Sequence, residues 1–187
     1  MPLMLPLISL ALLGQAAVAP ARFQAWNPDP ALSFELPAGP RFVRSSAKVD
    51  GALHLFQDRE HPASMILISF FPGTTLEKQL KSGHEELLRL VPNKRVEPVT
   101  SQVFSGIFAK IGLKFAAFSY PSGPKTGGAG SICDSAAVHW QTAGGVWTLS
   151  ANGNIGDAQA IQAVLEGFLK QSKLADLNRP AKLTSKN

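Results

Sequence analysis

The first third of the chain alternates between apolar and polar positions in short runs that predict β-strands. Leu32–Leu36 alternates with a period of two, which is typical of a strand with one buried face. Gly51–Gln57 forms a second run of this kind. Met65–Phe71 is almost continuously apolar, which predicts a central strand covered on both faces.

Two later segments have the spacing of amphipathic helices. The first begins at Thr74, which forms a capping-box pattern with Glu77, and it ends before Pro92. Its apolar positions near one face are Leu76, Leu80, Leu87 and Val91. The second helix is predicted from Asp157 to about Gln171, with the clearest apolar stripe of the chain.

The region between these helices is predicted to be rich in strands. Val96–Val103, Ile107–Ile111 and Lys114–Tyr120 are the candidates. A hairpin then joins Ala136–Thr142 to Val146–Ala151 through a turn with two glycines. Strands joined by short connections favour antiparallel pairing. We therefore expect an α+β fold, a mostly antiparallel sheet flanked by two main helices in an α/β/α-type sandwich.

The N-terminal segment is typical of a secretory signal peptide. Residues 1–21 contain an apolar run of about 11 residues, too short for a bilayer span, followed by small residues. Pro20 would hinder cleavage after Ala19, so we expect the mature chain to begin at Arg22, and cleavage after Ala16 remains a further option. The segment has no Lys or Arg, which leaves open an uncleaved anchor or a packed N-terminal arm. The prediction is a periplasmic or secreted protein with no transmembrane span after signal removal.

The remaining domain boundaries follow from composition and charge. Residues 22–31 are predicted to be a linker, residues 32–172 a single domain, and residues 173–187 a basic, flexible tail. Most of the formal net charge of +5 lies near the C-terminus. No basic stripe interleaved with aromatic residues is visible in the domain, so nucleic-acid binding is not expected.

Candidate catalytic groups are few and do not form a complete motif. Ser131 and Cys133, either one with His139, are the candidates for a hydrolase, but no nucleophile-elbow or papain-type pattern surrounds them. The four histidines lack metal-ligand spacing, so no metal or cofactor is predicted. His84 is expected to be solvated on its helix, and His139 to lie on a sheet surface.

Three residues are candidates for ligand binding. Trp140 and Trp147 are predicted to face each other across the hairpin, either as a stabilising cross-strand pair or as an aromatic shelf for a ligand. Lys125 lies in a glycine-rich loop, within Pro121–Ser135, that departs from the phosphate-loop pattern because its Lys-Thr precedes the glycines. We expect that loop to connect two strands.

The layout resembles the Mog1/PsbP-like superfamily. The features that carry the resemblance are the opening strand and turn Phe34–Gly39, the apolar strand Met65–Phe71 before a capped helix, and the run Val146–Ser150 before the last helix. The resemblance implies a binding module rather than an enzyme. The chain differs from the lipoproteins of that group because it has no N-terminal cysteine.

Together these features predict an exported, non-catalytic accessory or binding protein of the cell envelope. Its partner is expected to be another envelope protein, and the sequence leaves the oligomeric state open. The alternative is a hydrolase that uses Cys133 or Ser131 with His139.

Overall fold

Nine strands and three helices make up the described part of this computed structural model, which covers residues 28–37, 39–47, 53–61, 64–90, 94–121, 134–153 and 158–176. The elements in chain order are β1 Leu32–Glu35, β2 Phe42–Ala47, β3 Leu53–Asp58, β4 Met65–Pro72, α1 Leu76–Leu90, β5 Glu97–Pro98, α2 Gln102–Ile111, β6 Phe115–Tyr120, β7 Asp134–Gln141, β8 Gly145–Gly153, α3 Ala158–Gln171 and β9 Lys173–Asp176.

Seven of the strands form one antiparallel sheet in the order β2-β3-β4-β8-β7-β6-β5. The remaining two, β1 and β9, pair with each other, also antiparallel. The predicted α+β class with a mostly antiparallel sheet flanked by helices is therefore confirmed.

The two faces of the large sheet differ in character. Side chains alternate along a strand, so Val138 and Trp140 of β7 point to one face, and His139 between them points to the other. The first face carries the core, where the apolar stripe of α3 packs against the aromatic side chains of the sheet. Phe168 of α3 lies 5.1 Å, between ring centroids, from both Phe42 and Phe56. The second face is covered in part by α1 and carries more polar side chains.

The hairpin of β7 and β8 forms as predicted, with Trp140 directly opposite Trp147. Their rings are parallel within 1° and their centroids lie 6.0 Å apart. Both side chains are 0% exposed. Phe34 of β1 meets each of them edge-on, at 5.8 and 5.5 Å. The pair therefore lies in the centre of the core.

The strands predicted at Val96–Val103 and Ile107–Ile111 are wrong for most of their length, because the chain forms only the short β5 and then α2. Ser101 caps α2 by accepting a hydrogen bond from the backbone N–H of Phe104 at 3.2 Å. Gly112 ends it in the left-handed conformation, with φ of 75°.

The ordered fold also extends beyond the predicted domain at both ends. The predicted linker contains two buried residues, Asp29 and Ala31. The Asp29 carboxylate accepts hydrogen bonds from Ala31 N and Trp147 Nε1, each at 2.9 Å. It also accepts one from the Thr142 hydroxyl. Strand β9 consists of the first four residues of the predicted tail.

Strand β2 was not predicted from the sequence. The predicted signal peptide lies outside the described residues.

Candidate functional site

A cavity of about 220 Å³ lies between α1 and the second face of the sheet, and we call it the α1 cavity. Its helix wall consists of Gln79, Leu80, Gly83, His84 and Leu87. Its sheet wall comes from β6, β7 and β8, and its polar members are Tyr120, Ser135, His139, Thr148, Ser150 and Asn152. The cavity is therefore amphipathic, because its two leucines lie on the helix side and most of its polar groups on the sheet side.

The start of α1 is fixed to the sheet by a glutamine side chain. The Gln141 side-chain oxygen accepts a hydrogen bond from Leu76 N, and its amide group donates to the Thr74 carbonyl at 3.3 Å. The helix is capped by Thr75, one residue after the predicted Thr74, through a 3.4 Å hydrogen bond from Lys78 N. These contacts hold the first turn of α1 at the end of β7, so the rest of the helix runs over the polar face.

His139 is the most unusual group on the cavity wall. Its side chain is 9% exposed, and Nδ1 lies 2.9 Å from Thr148 Oγ1 on the neighbouring strand. Within the described part of the chain, its buried Nε2 atom has no hydrogen-bond partner. Burial, followed by the nearby His84, lowers the pKa of His139 to about 4. An orphaned polar atom of this kind costs about 1–3 kcal/mol unless something binds it.

His84 faces the same cavity from the helix side, so the prediction that it is solvated is wrong. Its Nε2 lies 3.2 Å from the Tyr120 hydroxyl, and its ring meets Phe118 edge-on at 4.7 Å. Burial lowers the pKa of His84 and raises that of Tyr120 to about 12. Both side chains are therefore uncharged near neutral pH. The sequence signal was available, since His84 follows Leu80 by four residues and precedes Leu87 by three.

No carboxylate, ammonium or guanidinium group is among the described residues that line the α1 cavity. Its titratable side chains are two neutral imidazoles and one neutral phenol. The site can therefore donate and accept hydrogen bonds, but it offers no counter-charge to an ion.

The other predicted site residues do not join this cavity. Trp140 and Trp147 point to the opposite face, where other aromatic side chains cover them, so a ligand would have to displace part of the core to reach either ring. Lys125, Ser131 and Cys133 lie outside the described residues.

A second polar cluster lies at the end of the β2–β3 hairpin. Asp58 is fully buried and accepts two hydrogen bonds from Arg41, at 3.0 and 2.7 Å, and one from the backbone N–H of Glu60. His61 Nδ1 lies 3.2 Å from the same carboxylate. Burial alone would raise the pKa of Asp58, but the hydrogen bonds from Arg41, Glu60 N and His61 hold it below its usual value.

A metal site is suggested by the short distances between the side chains of Asp58, Glu60 and His61. However, the Arg41 guanidinium also pairs with Glu60, at 2.7 Å, and so already supplies the positive charge between the two carboxylates. We therefore assign this cluster to stabilising the hairpin end.

The helices in the described ranges include none with the length and apolar character needed to cross a membrane.

Comparisons with known proteins found similarity to solved structures but none to a family model or a curated protein. Among solved structures, the chain is similar to the solution structure of cyanobacterial PsbP (CyanoP) from Synechocystis sp. PCC 6803. The TM-score is 0.47 with 9% sequence identity, over 75% of this chain and 85% of that one.

Proposed function

We propose that this chain is an exported, non-catalytic binding protein of the cell envelope and that the α1 cavity is its binding site. The observation that carries the proposal is the α1 cavity itself, in which neutral polar side chains of the sheet wall face the two leucines of the helix wall. Hydrophobic lining with a few convergent polar groups is the usual character of a small-molecule site.

The chemistry of His139 favours binding over catalysis. A general base works best when its pKa is close to the operating pH. With a pKa of about 4, the His139 imidazole is a weak base near neutral pH. Its hydrogen-bond partner in the described structure is Thr148, whose hydroxyl would be activated poorly by such a base.

The hydrolase alternative requires His139 to meet Cys133 or Ser131, both outside the described residues. Strand β7 begins at Asp134, five residues before His139. At about 3.3 Å per residue, the start of the strand lies roughly 17 Å from His139. The described contacts thus give this alternative no support.

Export is proposed from the sequence. The apolar run within residues 1–21 and the small residues after it fit a cleaved signal peptide. The chain has a single cysteine, so its stability in an oxidising compartment would not depend on an internal disulfide. We expect the protein that it serves to be another component of the envelope.

Two experiments test the proposal. Cell fractionation and N-terminal sequencing of the expressed protein should place it outside the cytoplasm with Arg22 as its first residue. Retention of the intact N-terminus in the cytoplasm would refute export.

For binding, we would screen small fragments of mixed charge by NMR and follow the signals of His139, Thr148 and Tyr120. The screen is repeated with Gly83→Leu, which places a side chain on the cavity wall, and with Gly106→Leu in α2. Both glycines are helical and have open space around an added Cβ, so the pair is matched. We expect fragments to shift the cavity signals in the parent and in Gly106→Leu but not in Gly83→Leu. A screen in which no fragment shifts them would overturn the binding function.

A further inference from the structure

We propose that the α1 cavity binds an uncharged organic molecule of about ten non-hydrogen atoms, with its hydroxyl or amide group against the hydroxyl-bearing side chains of the sheet wall and its apolar body against Leu80 and Leu87. The inference rests on the proposed function and specifies its ligand class.

The size follows from the volume of the cavity. An apolar cavity of about 150 Å³ is large enough to bind benzene. The 220 Å³ of the α1 cavity therefore has room for a ring and a few further atoms. A much longer molecule would have to extend past the helix into solvent.

The absence of charge among the described lining residues disfavours the binding of ions. A buried ion without a partner loses several kcal/mol of hydration. The cavity cannot offset this loss, since its titratable side chains, His84, His139 and Tyr120, are all neutral near pH 7. A carboxylate, a phosphate or an amine should therefore bind more weakly than an uncharged molecule of the same shape.

The orientation of the ligand follows from the different chemistry of the two cavity walls. The sheet wall presents the hydroxyl-bearing residues Ser135, Thr148 and Ser150, whereas the helix wall presents Leu80 and Leu87. A ligand with one polar end satisfies both walls only when that end points toward the sheet. The Thr148 hydroxyl is already oriented by its hydrogen bond with His139, so little order is lost on binding.

A metal ion fits the same site less well. His84 Nε2 is hydrogen-bonded to the Tyr120 hydroxyl, so this nitrogen would have to leave its partner to become a ligand. His139 Nε2 would be the second nitrogen, and no carboxylate or thiolate is among the described lining residues to complete a coordination sphere.

The test compares probes of similar shape and different charge. Benzyl alcohol and benzamide represent the proposed class, benzoate and benzylammonium are their charged counterparts, toluene lacks the polar group, and Zn²⁺ is added alone. The full mature chain is titrated at pH 7.5, with NMR as the readout. We expect the two neutral polar probes to bind at least about tenfold more tightly than the charged ones.

Two variants and one control localise the binding. Ser150→Ala should weaken benzyl alcohol about tenfold, the effect of one lost hydrogen bond, while toluene binds as before. Gly83→Leu should weaken every probe, and the control Gly106→Leu none. If Ser150→Ala fails to fold, the glycine pair still decides where the probes bind.

The outcomes separate this inference from the proposed function. If benzoate, benzylammonium or Zn²⁺ binds in the cavity as tightly as benzyl alcohol, the ligand class is wrong and the binding function survives. If the neutral probes bind equally well to Gly83→Leu, the location is wrong. If neither these probes nor the mixed fragments shift the cavity signals, the proposed function itself fails.

Discussion

Lowering the pH should destabilise this protein through His139 before its carboxylates are affected. The imidazole has a pKa of about 4 in the folded chain, against 6.5 for an unperturbed histidine. Protonation therefore favours the unfolded state, in which the ring is hydrated. The neutral, buried His139 ring therefore makes its full contribution to the free energy of unfolding above pH 6.5. This contribution is lost as the pH falls from 6.5 toward 4.

The magnitude follows from the size of the shift. One pKa unit corresponds to 1.36 kcal/mol, so a shift of this size is worth about 3 kcal/mol in total. By pH 5, where the unfolded histidine is almost fully protonated, we expect a loss of about 2 kcal/mol relative to pH 7.5. Against a typical free energy of unfolding of about 5–15 kcal/mol, this loss is readily measured.

The assay is urea unfolding of the mature chain at several pH values from 7.5 to 5, for the parent and for His139→Phe. The variant cannot titrate at this position, so its unfolding free energy should fall by about 2 kcal/mol less than that of the parent over this range. His84→Phe serves as a comparison. It should leave most of the His139 contribution in place, because burial is the largest cause of the His139 shift.

Two results would refute the reasoning. One is an identical pH dependence of unfolding for the parent and for His139→Phe. The other is an NMR titration of the folded protein in which the His139 ring protonates with a midpoint near 6.5. Either result would mean that the ring is hydrated, which contradicts the burial of His139 beside the α1 cavity.

Three further substitutions test the fold, each by urea unfolding at pH 7.5. Asp29→Ala removes the acceptor shared by the Trp147 indole N–H and the Thr142 hydroxyl. It should lower the free energy of unfolding by about 3 kcal/mol. Asp29→Asn should lower it less, because the amide keeps one carbonyl oxygen. Gly145→Ala should cost at least about 2 kcal/mol, because its Cβ would lie 2.2 Å from the backbone oxygen of Phe71 on the neighbouring strand. A neutral result would contradict the described turn. Gly83→Ala should stabilise the chain by about 1 kcal/mol, since the helix gains propensity and the new methyl group meets nothing within 4 Å.

The pattern of apolar positions predicted the central strands and two helices correctly, and it missed α2 for a physical reason. Intrinsic propensity favours strands at the valines within residues 96–103 and at Ile107 and Ile111, but this preference is weak. The helix is instead decided by Phe104 and Phe108, four residues apart and both buried, and by the Ser101 hydroxyl, which also donates to Glu166 of α3 at 2.7 Å. The contact with α3 depends on a residue 65 positions away, which local patterns do not show.

The candidate site was predictable only in part. Alternation along β7 correctly placed His139 on the face opposite Trp140, but its burial depends on α1 crossing that face. Conversely, Asp29 was assigned to a linker because prolines flank it, although its carboxylate is fixed by donors more than 110 residues away in the sequence. Polar residues with distant partners carry no local periodicity, so their roles emerge only from the fold.

The separation of the two sheet faces should allow the proposed binding site to be altered without loss of the fold. Among the described residues, the buried hydrophobic cluster takes side chains from the sheet, α2, α3 and the β1–β9 pair and none from α1, so hydrophobic stabilisation comes mainly from the face opposite α1. The face under α1 contributes half-buried leucines and polar groups instead. Substitutions on the helix wall, such as those at Leu80 and Leu87, should therefore change the volume of the cavity at a smaller cost in stability than substitutions at Phe168. The described architecture thus places the stable core and the candidate site on opposite sides of the same strands.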